Sequence, residues 1–427
     1  MCYNSRCNKY LKELITMNKI RIISFLLLIV GIISVITIQP EEANAKTYTI
    51  TPNSKPLDPM FQRYGTYNQY TKHYYLFRSY MNEFEKKKGG KLIIKKGTYN
   101  ITNAIYVPSN VTLEFQDGVK MVKTTKTGTN IITPSASMFQ LVSPSKALID
   151  GAYGKYNGEK NIKFIGKGTV TFDMKYVPKG ITIIMGHNQN VLVDNIQFRN
   201  FNYAHFIELD ASKNVTIRNS TFKSANDPLT SVKEAINIDT PDRETKGWSQ
   251  RWSKFDAQPN TDVLIEHNTF ENIPRAVGTH KYSEKKIHKN ITIRNNTMKN
   301  LRNDFIRALN WENAIIENNT FTLKPTDPRN EVVKGISASG VKNIRIKNNT
   351  FDHMAIAMMF FTFANSGGGS TNPVYADLTE QNKIDLLSNT YLNLNTPYIQ
   401  IRDNLQSDGT RNTETIKLDE QTLRQAK

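Results

Sequence analysis

A nine-residue line, NVTIRNSTF at Asn214–Phe222, returns as NITIRNNTM from Asn290, NAIIENNTF from Asn313 and NIRIKNNTF from Asn343. Looser copies are NVLVDNIQF from Asn190 and DVLIEHNTF from Asp262. Nothing else in the chain restricts its fold as strongly. Each copy alternates apolar and polar residues, as Val215, Ile217 and then Phe222 show, and a period of two is that of a strand. Counting a further copy at 161, the starts fall at 161, 190, 214, 262, 290, 313 and 343, with gaps of 29, 24, 48, 28, 23 and 30 residues. The 48 is two coils, or one coil carrying an insertion. Units of this length, with β-branched strands and Asn-rich turns, read as a solenoid. Leucine-rich repeats compete for this spacing, but their leucine pattern is missing. The Asn residues of RNN, ENN and KNN are expected to stack into a hydrogen-bonded ladder at one corner.

A second strand precedes each copy: His205–Asp210, Glu234–Asp239, Arg275–His280, Asp304–Leu309 and Lys334–Ser339. Aligned on Ile207, Ile236, Val277, Ile306 and Ile336, these strands put Leu209, Ile238, Thr279, Ala308 and Ala338 on the same inward face. What points outward varies from coil to coil. Coils stack about 4.8 Å apart, so equivalent positions form vertical ladders. One ladder is His205, Glu234, Arg275, Asp304; the next is Glu208, Asn237, Gly278, Arg307; a third is Asp210, Asp239, His280. The repeated line is monotonous and the second strand chemically varied, so function is expected on the second.

The chain has 427 residues and a net charge of +18, too apolar and too evenly charged for a disordered polymer. Residues 1–45 read as a secretory signal peptide, with Lys19 and Arg21 before an apolar run from Ile22 to Ile38 and a small-x-small cleavage site at Ala43-Asn44-Ala45. Residues 1–16 then form an upstream extension. A membrane anchor is the alternative, and the cleavage motif argues against it. Cleavage leaves a charge of +16 and removes Cys2 and Cys7, the only cysteines, so the secreted chain is held by its core and ladders without disulfides.

The segments GGKLIIKKGTYNI (Gly89–Ile101) and VPSNVTLEFQDGVKM (Val107–Met121), followed by the repeats, resemble the right-handed parallel β-helix enzymes of the pectate lyase and polygalacturonase type. The resemblance runs from about Thr47 to Tyr398. It implies an all-β, single-stranded right-handed parallel β-helix over 91–403, a helical cap segment over 46–90 and a polar tail over 404–427. Tyr74, Leu76, Met81 and Phe84 would form the capping helix, because an open solenoid end exposes core and strand edges. Polygalacturonases carry Asp-Asp, Gly-His-Gly and Arg-x-Lys on successive second strands. The matching positions here hold Lys233-Glu234, Arg275-Ala276 and Arg307-Ala308-Leu309, so only Arg307 carries over.

Read on their own chemistry, Asp239 and Asp210 are two carboxylates one coil apart whose repulsion should raise one pKa and make an acid/base couple. His280 would shuttle a proton beside Asp239, with Glu234 as a further catalytic candidate. Glu208, Arg275, Lys281, Arg307 and Asp304 are candidate substrate contacts, the cations gripping anionic sugar rings. Trp248 and Trp252, in an interruption from Thr240 to Asn260, either stack on sugars or pin that loop to the coil. The expected function is secreted cleavage of an acidic polysaccharide, with hydrolysis ahead of elimination and no cofactor, calcium entering only for a lyase. A non-catalytic, wall-associated adhesive β-helix is the alternative class. A monomer is expected, with no membrane partner once the leader is cleaved. No nucleic-acid recognition module accompanies the basic charge, so nucleic acid is not an expected partner.

Overall fold

The computed structural model describes residues 46–226, 233–245, 247–364 and 368–418; the expected signal peptide and residues 419–427 lie outside the described residues. Strands dominate, stacked almost throughout in parallel in three sheets of 11, 11 and 10 strands, and together they wind a parallel β-helix. The repeated line is two strands rather than one. In the copy at 214, Lys213–Arg218 lies in the first sheet and Thr221–Ala225 in the second, with a corner between them. The corner residue Asn219 is left-handed (φ 52°), as are Asn295, Asn318 and Asn348 in the later copies. Asn tolerates this conformation because its short polar side chain hydrogen-bonds locally. The expected strands at 205–210, 234–239, 275–280, 304–309 and 334–339 all fall in the third sheet.

Coil-to-coil register is kept by side chains of one kind. Val191, Val215, Val263 and Ile291 pair in sequence through the first sheet, as do Val193, Ile217, Ile265 and Ile293. The Phe closing each line stacks inside the second sheet: Phe198 on Phe222 at 4.7 Å, Phe222 on Phe270 at 4.8 Å, Phe321 on Phe351 at 4.6 Å. Beside them runs the expected ladder. Asn268 N donates to Asn296 Oδ1 (2.9 Å), Asn296 N to Asn319 Oδ1 (3.0 Å), Asn319 N to Asn349 Oδ1 (2.9 Å) and Asn349 N to Asn389 Oδ1 (2.9 Å). Each buried amide thereby satisfies a corner backbone N–H that no strand could pair.

The helix Lys72–Lys87 closes the first coil, burying Leu76, Phe77, Met81 and Phe84, and ends in left-handed Lys88. Thr47–Ile50, within the segment expected as cap, is itself a strand of the first sheet, pairing with Gly90–Ile94. At the other end the chain runs into the segment expected as a polar tail over 404–427. Instead Tyr398–Leu405 joins the third sheet and Arg411–Lys417 pairs antiparallel with it, covering that sheet's edge.

Candidate active site

The third sheet does not alternate cleanly. Phe206 and Ile207, Ala235 and Ile236, Ala276 and Val277, and Phe305 and Ile306 all enter the core as adjacent pairs. The residues just before them, His205, Glu234, Arg275 and Asp304, therefore face outward at the strand starts. Further along, Glu208, Asp210, Asn237 and Asp239 face outward by ordinary alternation, with Glu208 paired to Asn237 and Asp210 to Asp239 across neighbouring coils.

The strand-start ladder is a buried ion cluster. Arg275 is 2% exposed. Its Nη1 donates to Glu234, its Nη2 to Asp304 and its Nε to Asp304 Oδ1 at 3.0 Å. Burial, the largest single influence, would raise the Glu234 pKa, but the Arg275 guanidinium together with His280, His205 and Arg307 outweighs it, and Glu234 is held down at about 2. Three sequence expectations are corrected here. Glu234 is an ionised, fully buried partner of Arg275 and does not line the cavity described next; Arg275 and Asp304 are tied to each other, at the border of a neighbouring cavity.

Beside this cluster opens a cavity of about 470 Å³. Its polar lining includes Glu208, Asn237, Asp239, His205 and His280, with Trp248, Ser249 and Gln250 from the interrupting segment opposite. Burial, then the charge of Asp239, pushes Glu208 up to about 8, although Asn237 Nδ2 donates to its Oε1 at 3.0 Å. Burial and the negative Glu234 raise Asp239 to about 7, opposed by the backbone N–H groups of His280 (2.8 Å) and Lys281 (3.3 Å), which both donate to Oδ1. Asp210 is 0% exposed and does not line the cavity. Burial and then the charges of Glu208 and Asp239 raise it well above its ordinary value, which favours its neutral form. The expected Asp239–Asp210 couple is thus corrected. The carboxyls that reach the cavity are Asp239 and Glu208, and their charges act on Asp210 behind them. Glu208 and Asp210 titrate as a pair.

Both histidines are neutral at pH 7, each lowered to about 4, chiefly by burial. His205 Nδ1 lies 2.7 Å from the Glu234 carbonyl, which fixes it as the N–H donor and leaves Nε2 as an acceptor 3.7 Å from Glu208. His280 meets Asp239 through its backbone, and its ring Nδ1 has no hydrogen-bond partner. The imidazole shuttle expected of His280 is therefore not the contact made, and Lys281 likewise contributes its backbone N–H. Arg307 faces a neighbouring cavity of about 410 Å³ with Asp304, Lys334 and Ser337, its guanidinium 4.8 Å from the Phe363 ring centre.

The Thr240–Asn260 segment folds back over the outward face. Trp248 and Trp252 pack edge-to-face (5.2 Å) on Val142, Tyr153 and Ile184. Trp252 is 1% exposed and donates Nε1–H to Gln140 Oε1 at 3.1 Å. Of the two roles open in the sequence, Trp252 takes the pinning one and offers no face to a sugar. Trp248 also packs here, with only an edge on the cavity. Gly186 beneath them admits this contact, since a Cβ there would stand 2.7 Å from the Trp248 ring. Sequence reasoning aligned His205 and Asn237 on the second strands without assigning them to the site, although the outward ladder held the signal. Lys179 and Tyr203, which also line the cavity, lie in non-repeating turns that carry no periodic signal.

The stacked coils define a fold class: the chain is a right-handed parallel β-helix protein. The family model described as "Right handed beta helix region" matches residues 253–392. A curated relative, plasmin and fibronectin-binding protein A of Streptococcus pneumoniae, is 24% identical over 260 residues, covering 55% of this chain and 35% of the relative. The chain thus matches about a third of that relative's length. Among solved structures, PfbA, a surface adhesin of Streptococcus pneumoniae, superposes with a TM-score of 0.55 at 18% identity, over 81% of this chain and 78% of that one. A family 28 exopolygalacturonase of Yersinia enterocolitica superposes at 0.37 and 14% identity, over 76% and 74% of the two chains. These structural likenesses are of fold.

Proposed function

We propose that the chain is a secreted glycoside hydrolase acting on a polysaccharide in the cavity of the third sheet. The observation that carries this reading is the pair of cavity-lining carboxyls, Glu208 raised to about 8 and Asp239 to about 7. Glycosidic cleavage needs one protonated and one ionised carboxyl at working pH. At pH 7 Glu208 holds its proton and serves as general acid to the leaving oxygen, while Asp239, half ionised and steadied by two backbone N–H groups, is the base. The two sit diagonally on neighbouring coils. Strand spacing and rise place their Cα atoms on the order of 8 Å apart, and the anomeric outcome is set by where the two carboxyl groups point. A calcium-assisted elimination needs a cage of oxygen ligands. Among the described residues no three Asp, Glu, His or Cys side chains converge as one.

The test is a polysaccharide panel read by reducing ends and by absorbance of unsaturated uronates. Hydrolysis gives the first signal alone. Asp239→Asn should lower turnover by about 10²-fold or more, the scale of lost acid–base help, while Thr292→Asn on the first sheet leaves it unchanged. Full activity in Asp239→Asn would refute the assignment. A second reading, a surface adhesin, is favoured by the relative named for binding plasmin and fibronectin. Saturable binding of either protein, with no cleavage across the panel, would put it first.

A further inference from the structure

The helical cap carries a surface unlike the outward faces of the coils. Phe61, Tyr74 and Tyr75 are buried together at the N-terminal end of the solenoid, with Tyr67 and Ile132 packed against them. Tyr64 packs edge-on to both Phe61 (5.3 Å) and Tyr75 (5.7 Å), yet keeps 43% of its surface exposed. Met60 and Ile131, each next in sequence to a residue of this cluster, are 52% and 73% exposed. Ile131 belongs to a separate stretch, 124–134, which Asn68 ties to the cap by donating Nδ2–H to the Thr127 carbonyl (2.9 Å). Large apolar groups from two parts of the chain thus share one solvent-facing patch, and contiguous patches of this kind mark contact surfaces.

The charge around the patch is one-sided. Residues 51–81 and 124–134 hold Lys55, Arg63, Lys72, Arg78 and Lys126 against a single acid, Asp58. Asp58 is engaged with the backbone, accepting from Met60 N (2.9 Å). Arg78 lies over the Phe61 ring (5.3 Å) and Lys126 over the Tyr70 ring (4.5 Å), so cations and apolar groups interleave. Among the described residues none of the five cations pairs with a carboxylate. Basic residues of the first sheet do pair across coils, Lys91 with Glu114 (2.8 Å), Arg218 with Asp194 (2.9 Å) and Arg294 with Glu266 (2.8 Å).

We propose that this face of the cap is a docking surface for a lipid membrane bearing anionic headgroups. Tyrosine rings and aliphatic side chains enter the interface, while the lysines and arginines among them meet the lipid phosphates. A glycan or a single-stranded nucleic acid asks instead for an open ring face on which to stack. Tyr64 meets Phe61 and Tyr75 at 75° and 77°, ring edge to ring face, and Met60 and Ile131 have no flat face to offer. The inference is independent of the reading of the cleft. It departs from the expectation that the secreted chain has no membrane partner.

Residues 46–427 form a compact unit of their own, so the test uses the chain from Lys46, and the apolar run at 22–38 takes no part. Sedimentation with vesicles of phosphatidylglycerol and phosphatidylcholine in equal parts should retain it; vesicles of phosphatidylcholine alone should not. Retention should fall as salt rises past about 0.15 M, where the screening length is about 8 Å. Met60→Ser with Ile131→Ser should weaken retention at least tenfold at unchanged thermal stability, since both side chains are exposed. Arg63→Gln, Lys72→Gln and Lys126→Gln together should do the same. Lys160→Gln, Lys163→Gln and Lys213→Gln, on the first sheet, remove as much charge and should leave retention unchanged. No cysteine follows Cys7, so Met60→Cys accepts a single environment-sensitive dye, whose emission should shift to the blue on anionic vesicles. The same dye on Thr292→Cys should not respond. No retention on anionic vesicles, equal retention on neutral ones, an equal loss from the first-sheet lysines or an unshifted dye at 60 overturns the proposal. So does capture of an acidic oligosaccharide or a single-stranded oligonucleotide by the cap residues in place of vesicles.

Discussion

Arg275→Met should be among the most damaging single changes in the molecule, and its cost should depend on pH. The guanidinium is 2% exposed and bridges Glu234, 0% exposed, to Asp304, 8% exposed. Removing it leaves two desolvated carboxylates without their cation, a loss of about 3–5 kcal/mol for a broken buried pair. The sign of the pH effect follows from Glu234. In the native protein its pKa is lowered from 4.5 to about 2, so its contribution is present above the unfolded value and lost as pH falls toward 2. Without Arg275, burial dominates and raises it. The group then favours the fold below its unfolded pKa and opposes it increasingly as pH rises. Urea unfolding, followed by the fluorescence of buried Trp248, Trp252 and Trp311, should show a larger loss at pH 8 than at pH 5. The triple variant Arg275→Met/Glu234→Gln/Asp304→Asn should recover most of it, since no ion remains unpaired. A loss under about 1 kcal/mol at pH 8, or one independent of pH, would refute the argument that a desolvated ion cluster underlies the cleft.

Asp210→Asn should stabilise the protein progressively as pH rises above the unfolded carboxylate pKa of about 4, because native Asp210, raised in the folded state, gives up stability there; equal denaturation midpoints for the two proteins at pH 8 would contradict this. Gly186→Ala places a Cβ 2.7 Å from the Trp248 ring and should cost about 1–3 kcal/mol by overpacking, with a red-shifted tryptophan emission as the pinned segment lifts. Asn319→Ala removes an amide that joins neighbouring Asn residues and should cost about 1–3 kcal/mol in urea unfolding, the scale of leaving buried backbone groups unsatisfied.

The repeat by itself determined the coil. Its strand period, its spacing and its Asn corners are local features, each written several times, so errors at one copy are corrected by the others. The outward ladder of the second strand was legible for the same reason, and with it Glu208, Asp239 and His205. What the ladder could not give was solvent exposure. Asp210 and Asp239 occupy equivalent places on neighbouring coils, yet only Asp239 reaches the cavity. Glu234 and Arg275 read as site residues until the paired Phe206–Ile207 type of core entry turned them together into a buried cluster. The cleft wall comes from Thr240–Asn260 and the rim from Lys179 and Tyr203, segments outside the repeat, whose places are set by tryptophan packing over Gly186 and by turns no period encodes. A repeating pattern fixes a scaffold because every coil must match its neighbours in the ladder. The site depends on charges and rings that meet across coils and insertions, and that meeting is decided only when the chain is packed.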